Sequence, residues 1–112
     1  MARIAGLPGT RYPAGVCRVI DSIVQDMRVE RCAVCGCVKD LELHHIMHGT
    51  ANRRLSTRYG LVCWLCREHH RGKWGAHNNA ELNHKLQAVA QKAFEREHTH
   101  DEWMTIFGKN YL

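Results

Sequence analysis

Cysteines and histidines are the residues of this chain whose types and spacing could do chemistry. Cys32 and Cys35 form a CxxC pair followed by Gly36, and such a turn aims two thiolates at one tetrahedral metal centre. Two histidine pairs follow, in LELHHI at 41–46 and in LCREHH at 65–70. No secretory signal is recognisable, so the six cysteines predict a reducing compartment, where CxxC pairs are metal or redox sites rather than disulfides.

The second half of the metal site has two candidates, Cys63 with Cys66 and Cys66 with His69. If residues 61–65 form a strand, positions three apart point to opposite faces, so Cys63 and Cys66 diverge. Cys66 and His69 lie on one face if they occupy the first turn of a helix. The predicted structural zinc site is therefore Cys32, Cys35, Cys66 and His69. A four-cysteine site that uses Cys63 and a set of reduced cysteines that merely pack are the alternatives.

Apolar spacing predicts three helices. The first covers residues 14–29, the second covers 79–97, and a short third helix carries Trp103 and is followed by Gly108. Cap signatures precede the second and third helices, at Asn78 with Glu81 and at Thr99 with Glu102. The predicted buried stripe of the second helix is Leu82, Leu86, Val89, Ala90, Ala93 and Phe94.

Two strands are predicted between these helices. Residues 40–46 alternate, with His45 on one face and His44 on the other, and residues 61–65 are continuously apolar. The segment 48–60 is polar and basic and ends at a glycine, which predicts a long loop. A short helical turn should begin at Cys66 and end at Gly72. The expected fold class is α+β.

The overall charge indicates a polyanionic partner. The chain of 112 residues has 16 Lys and Arg against 11 Asp and Glu, a net charge of +5. Nucleic acid is the first partner class that such a balance suggests. The sequence contains no run of 18 apolar residues, so no membrane span is expected. The length fits one domain.

The CxxCG, LELHHI and LCREHH motifs together resemble the HNH endonucleases, the ββα-metal nuclease superfamily. The tail, from ELNHKLQAVAQKAFE to IFGKNYL, resembles small phage and prophage members of that family. In that family a treble-clef-like zinc knuckle braces a β-hairpin and a helix. The resemblance therefore implies a zinc-braced ββα-metal core at residues 31–77. An N-terminal arm and helix at 1–30 and C-terminal helices at 78–112 would complete a single HNH domain over 1–112.

The resemblance also implies an endonuclease that hydrolyses DNA with one divalent ion, Mg²⁺ or Mn²⁺, in addition to the structural Zn²⁺. By position, His44 and His70 would hold this ion, and His45 would be the general base. His77 is a further candidate ligand, because the glycines at 72 and 75 could turn the chain back. A neutral histidine is suited to taking a proton from water near pH 7.

One position departs from the family pattern. The asparagine that orients the base histidine in the family corresponds here to Leu61, and Asn52 is the candidate replacement. Basic residues surround the loop and the turn where phosphates would pass. The expected nucleic-acid contacts are Arg53, Arg54, Arg58, Arg67, Arg71 and Lys73.

The expected partner is DNA, with a phage recombination or packaging protein as a further partner and no membrane. A monomer or a homodimer in the cytoplasm of a bacterial or phage-infected cell fits these expectations. The alternative function is a zinc-stabilised DNA-binding or protein-interaction module without catalytic activity, which the missing asparagine favours. A CxxC redox protein is a third hypothesis, but no βαβ pattern surrounds either pair.

Overall fold

The computed structural model of the chain describes residues 21–112. The elements in chain order are β1 (Leu41–His45), α1 (Thr50–Tyr59), β2 (Val62–Cys66), α2 (Arg67–His70), α3 (Ala80–Phe94) and α4 (His100–Phe107). The result is a compact α+β fold, which confirms the predicted class. Within the described range, no helix is both long enough and apolar enough to cross a bilayer.

The two strands form an antiparallel hairpin whose register fixes the histidine pair. His44 lies opposite Cys63 and His45 lies opposite Val62. Because side chains alternate along a strand, His44 shares a face of β1 with Glu42, while His45 points to the other face. The predicted strands at 40–46 and 61–65 are confirmed to within one residue at their ends.

Helix α1 lies where the sequence predicted a long loop at 48–60, so that prediction is wrong. The segment has no apolar stripe, and its one buried residue is Ser56. The Ser56 hydroxyl donates to the Met47 carbonyl at 2.7 Å and accepts from the Met47 amide at 2.9 Å. This buried polar pair, which periodicity does not detect, fastens α1 to the chain that leaves β1. Gly60 ends the helix in the left-handed conformation, with φ 72°.

The helix predicted at 14–29 is not present in its described part, because residues 21–29 are irregular. The Ser22 hydroxyl donates to the Val62 carbonyl at 2.6 Å, and the Gln25 side-chain oxygen accepts from the Trp64 amide at 2.7 Å. Hydrogen bonds to β2 therefore replace the helical ones. The remainder of this prediction, residues 14–20, lies outside the described residues.

Helix α3 begins at a different cap from the predicted one. Asn79, not Asn78, accepts hydrogen bonds from the backbone amides of Glu81 and Leu82. The predicted stripe is wrong at Val89, which is 49% exposed, whereas Gln91 is fully buried. The Gln91 side chain donates to Glu95 and Asn110, so a hydrogen-bonded polar group occupies that core position.

Helix α4 follows the prediction closely. The Thr99 side chain accepts from the Glu102 amide, the Glu102 carboxylate accepts from the Thr99 amide, and Gly108 closes the helix with φ 75°. Trp103 on this helix is fully buried and packs against Phe94 of α3. The same core continues through Leu65 of β2, so α3 and α4 support the hairpin.

Candidate metal centres

Four sulphur and nitrogen ligands meet where α2 follows β2. The Sγ atoms of Cys35 and Cys66 are 3.8 Å apart, and the Cys66 Sγ is 3.3 Å from the His69 Nδ1. The Cys32 Sγ lies 3.9 Å from the same nitrogen. All four ligand atoms lie within 4.8 Å of one another. Zn–S bonds of about 2.3 Å in a tetrahedron place two sulphurs about 3.8 Å apart, so this cluster has dimensions consistent with zinc.

The protonation state of Cys32 also suits a metal ligand. Burial raises the pKa of the Cys32 thiol, but backbone N–H groups of Cys66, Cys35 and Val34 outweigh it and lower the pKa to about 6. Thiolate is the form that binds metal. Cys63 is excluded from the cluster because it points into the core, where burial raises its pKa to about 12. The four predicted residues, with His69 rather than Cys63 as the fourth, thus lie close enough together to hold a metal ion.

A second cluster consists of three imidazoles, those of His44, His70 and His77. The Nε2 atoms of His70 and His77 are 3.1 Å apart. Their ring centroids lie 5.2 Å and 5.3 Å from that of His44. Two lone pairs do not face each other at such a distance, so a proton or a cation has to lie between the two nitrogens. Nitrogens about 2.1 Å from one ion are about 3.0–3.4 Å apart.

His44 is the buried member of this cluster, with 1% of its surface exposed. Neither of its ring nitrogens has a hydrogen-bond partner among the described residues. Burial, followed by the charges of the neighbouring histidines, lowers its pKa to about 3, so the ring is neutral. A buried neutral imidazole with a free lone pair is costly unless something binds it. The donor chemistry therefore fits a cation here.

Glu42 orients His70, a role that the sequence did not reveal. The His70 Nδ1 is 2.7 Å from the Glu42 carboxylate. Because a carboxylate only accepts, Nδ1 carries a hydrogen, and Nε2, on the side of His77, is the nitrogen available to a cation. Arg71 donates to both Glu42 oxygens, at 3.0 and 2.5 Å. Hydrogen bonds from Arg71 and then His70 lower the Glu42 pKa to about 2, so it is ionised.

Two glycines allow His77 to reach His70. A Cβ at Gly72 would lie 2.5 Å from the Glu68 carbonyl oxygen, and one at Gly75 would lie 2.7 Å from the His70 carbonyl carbon. The His77 amide donates to the His70 carbonyl at 3.2 Å, so the chain folds back on α2. The predicted return of the chain at these glycines is confirmed.

A fourth histidine borders the cluster. His48 lies in the connection between β1 and α1, as predicted, and its ring centroid is 5.6 Å from that of His77. Its Nε2 is 3.1 Å from the Asn83 side-chain oxygen of α3. Periodicity offers no signal for this contact, because it depends on how α3 packs beside the hairpin.

His45 lines a separate recess on the other face of β1. Burial lowers the pKa of His45, and the charges of Arg53 and His70 lower it further. The recess, of about 520 Å³, is bounded by His45, Thr50, Arg53, Arg54, Thr57 and Arg58. The structure therefore does not bring His45 into the three-imidazole cluster. It places this histidine beside arginines, and close enough to His70 to respond to its charge.

Asn52 does not line this recess. At 100° per residue, Asn52 lies on the side of α1 opposite Arg53 and Arg54, near the face of the buried Ser56. Leu61, which occupies the position of the family asparagine, is fully buried in the core. Neither residue is therefore placed to orient His45.

The six predicted DNA-contacting cations divide into two groups. Arg53, Arg54 and Arg58 line the recess. Arg71 is held by Glu42, Arg67 lies 3.8 Å from Asp40, and the Lys73 ammonium lies 5.3 Å from the Trp74 ring centroid. Arg71 is exposed, but it is paired with the carboxylate that supports the histidine cluster and is therefore not a free surface cation.

Comparisons of the chain with models of known protein families, with curated proteins and with solved structures find no match. The geometry of the two clusters and the recess therefore carries the functional argument.

Proposed function

We propose that the chain is a metal-dependent endonuclease of the HNH type that hydrolyses DNA phosphodiester bonds. The single observation that carries this proposal is the buried His44, whose ring nitrogens have no hydrogen-bond partner among the described residues and whose ring lies beside those of His70 and His77. These three imidazoles would hold a divalent ion separate from the zinc that the cysteine cluster would hold. A closed four-ligand site stabilises a fold, while three protein ligands leave room for a substrate oxygen.

The donor set bears on which ion is used. Imidazole suits later first-row transition ions such as Fe²⁺, Ni²⁺ and Zn²⁺, whereas Mg²⁺ and Mn²⁺ prefer carboxylate, carbonyl and water oxygens. The cluster contains three imidazoles and no carboxylate ligand among residues 21–112, since Glu42 is bonded to His70 and Arg71. A later transition ion such as Co²⁺ or Ni²⁺ is therefore the better fit. The chemistry that such an ion supplies when bound is Lewis-acid stabilisation of negative charge on phosphoryl and leaving-group oxygens.

His45 supplies the base in this proposal. Its lowered pKa keeps the imidazole neutral at pH 7, in the form that can take a proton from water. Arg53, which lines the recess, and His70, which belongs to the histidine cluster, both contribute to that shift. A phosphodiester spanning the edge of β1 would reach both features. The recess arginines would bind its non-bridging oxygens.

Plasmid cleavage tests the proposal. Wild-type protein should nick plasmid DNA with Co²⁺ or Ni²⁺ faster than with Mg²⁺. The His45→Ala variant should lose about 100- to 10,000-fold of the rate, the usual contribution of a general base. His84→Ala is the matched control, because His84 is exposed on α3. It should cleave like the wild type.

Three results would refute parts of this account. Full activity in His45→Ala would remove the base assignment. Cleavage supported best by Mg²⁺ would contradict the argument from the donor set. A folded, zinc-loaded wild-type protein that cleaves DNA with none of the ions would favour the alternative of a zinc-stabilised DNA-binding module.

A further inference from the structure

The arginine recess next to His45 has a simple origin in helix geometry. Its α1 residues occupy positions i, i+3, i+4, i+7 and i+8, which lie on one face of a helix. The recess residues are Thr50, Arg53, Arg54, Thr57 and Arg58 from α1, and His45 from β1.

We propose that this recess is a binding site for internal phosphates of a DNA backbone, and that it works without an ion at the histidine cluster. The proposal deepens the proposed function and rests on it for the identity of the ligand. It assigns the recess a separate role: affinity for the strand comes from α1, whereas the ion acts only on the bond that is cut.

Charge is the first argument. No carboxylate pairs with Arg53, Arg54 or Arg58 within the described part of the chain, and no acidic residue lines the recess. Helix α1 itself contains no Asp or Glu. Three neighbouring guanidinium groups repel one another, and an anion between them relieves that repulsion. Guanidinium is also the side-chain group that matches phosphate oxygens with paired donors.

The shape of the recess distinguishes between kinds of phosphate. From Thr50 to Arg58 the helix rises about 12 Å, at 1.5 Å per residue. A DNA strand presents one phosphate per about 3.4 Å of helix axis. The row of donors is therefore long enough for more than one backbone phosphate, whereas a terminal phosphate would occupy one end of it.

The test measures binding of a short labelled duplex without terminal phosphates to zinc-loaded protein, with no other divalent ion added, across a salt series. The recess variant carries Arg53→Gln, Arg54→Gln and Arg58→Gln. The charge-matched control carries Lys92→Gln, Arg96→Gln and Lys109→Gln, at three exposed cations. Glutamine is a good helix former, so α1 should persist in the recess variant.

The recess variant should lose about 2–3 units of the slope of log affinity against log salt, at about 0.9 per phosphate contact. The control should keep most of the slope. The His77→Ala variant should bind like the wild type, because the recess does not need the ion. Equal slopes in the recess and control variants would overturn the proposal, and so would an equal loss of affinity in His77→Ala.

Two further outcomes distinguish this proposal from a terminal-phosphate site and from the nuclease proposal. If a 5′-phosphorylated duplex binds more tightly than the unphosphorylated one, and the recess variant abolishes the difference, the ligand is a terminal phosphate and the assignment to internal phosphates is wrong. If the recess binds DNA as expected but no ion supports cleavage, the nuclease proposal fails and the binding site remains.

Discussion

Each of the two histidine pairs is divided between two sites, for a reason that holds at the level of single residues. His44 and His45 are consecutive on a strand, so one faces the imidazole cluster and the other faces the recess. His69 and His70 are consecutive on α2, about 100° apart, so one joins the cysteines and the other joins the imidazoles. Backbone periodicity accounts for this division. The sequence predicted that His44 and His45 face opposite ways, but it assigned His45 to the same catalytic ion as His44 and did not predict a separate recess.

Glu42 shows what residue types alone do not reveal. An acidic residue on a strand beside histidines is common and does not by itself indicate a role. Glu42 shares a face of β1 with His44, and this is the one sequence signal that it points toward the imidazole cluster. The position of His70 was needed to show that Glu42 binds it. Glu42 also pairs with Arg71. The sequence predicted that Arg71 contacts phosphate, whereas in the structure Arg71 donates to the Glu42 carboxylate.

Replacing Glu42 tests its orienting role. A carboxylate behind a ligating histidine usually contributes about 10- to 100-fold to metal affinity. Glu42→Gln should therefore weaken Co²⁺ binding at the imidazole cluster by that factor, measured calorimetrically, while the melting temperature changes little. Asp40→Asn is the control, since Asp40 pairs with Arg67 nearby but touches no ligand. Equal affinities for the two variants would show that Glu42 does not position His70.

Among the elements, α1 is the one that the sequence failed to predict. Its polar composition resembles a loop, and the interaction that holds it is a pair of buried hydrogen bonds rather than an apolar stripe. By contrast, α4 was predictable because its capping box and its final glycine are local signals. The helical prediction for residues 21–29 is wrong for a related reason, because side-chain hydrogen bonds again decide the structure. The apolar spacing of this segment is helical, but Ser22 and Gln25 form hydrogen bonds with β2 instead.

Ser56→Ala tests how α1 is held. The substitution leaves the Met47 amide and carbonyl without their partner in a buried position, which costs about 1–3 kcal/mol. Urea denaturation should show this loss of unfolding free energy. Thr57→Ala, one residue further on and exposed, should stay within about 0.5 kcal/mol of the wild type. A Ser56→Ala variant as stable as Thr57→Ala would mean that packing, not these hydrogen bonds, fixes the helix.

At the scale of the whole molecule, α2 joins the two candidate metal centres. This four-residue helix supplies His69 to one and His70 to the other, and the chain after it returns with His77. Order at the imidazole cluster should therefore depend on the cysteine cluster, because structural zinc binding is part of the folding free energy. The sequence predicted the two ligand sets in different ways: short local spacings indicated Cys32 with Cys35 and Cys66 with His69, whereas the resemblance to HNH endonucleases indicated His44 with His70. The sequence was not sufficient for His48 and Asn83, whose contact depends on tertiary packing.

A Co²⁺ titration of metal-free protein, followed by visible absorption, tests most directly whether the chain holds two separate cations. Wild-type protein should bind two ions, one that produces cobalt–thiolate charge-transfer bands and one that does not. His77→Ala should lose only the ion without those bands, since His77 is exposed and outside the cysteine cluster, and His84→Ala should match the wild type. A wild-type protein that binds a single ion, or a His77→Ala variant that still binds two, would contradict the account.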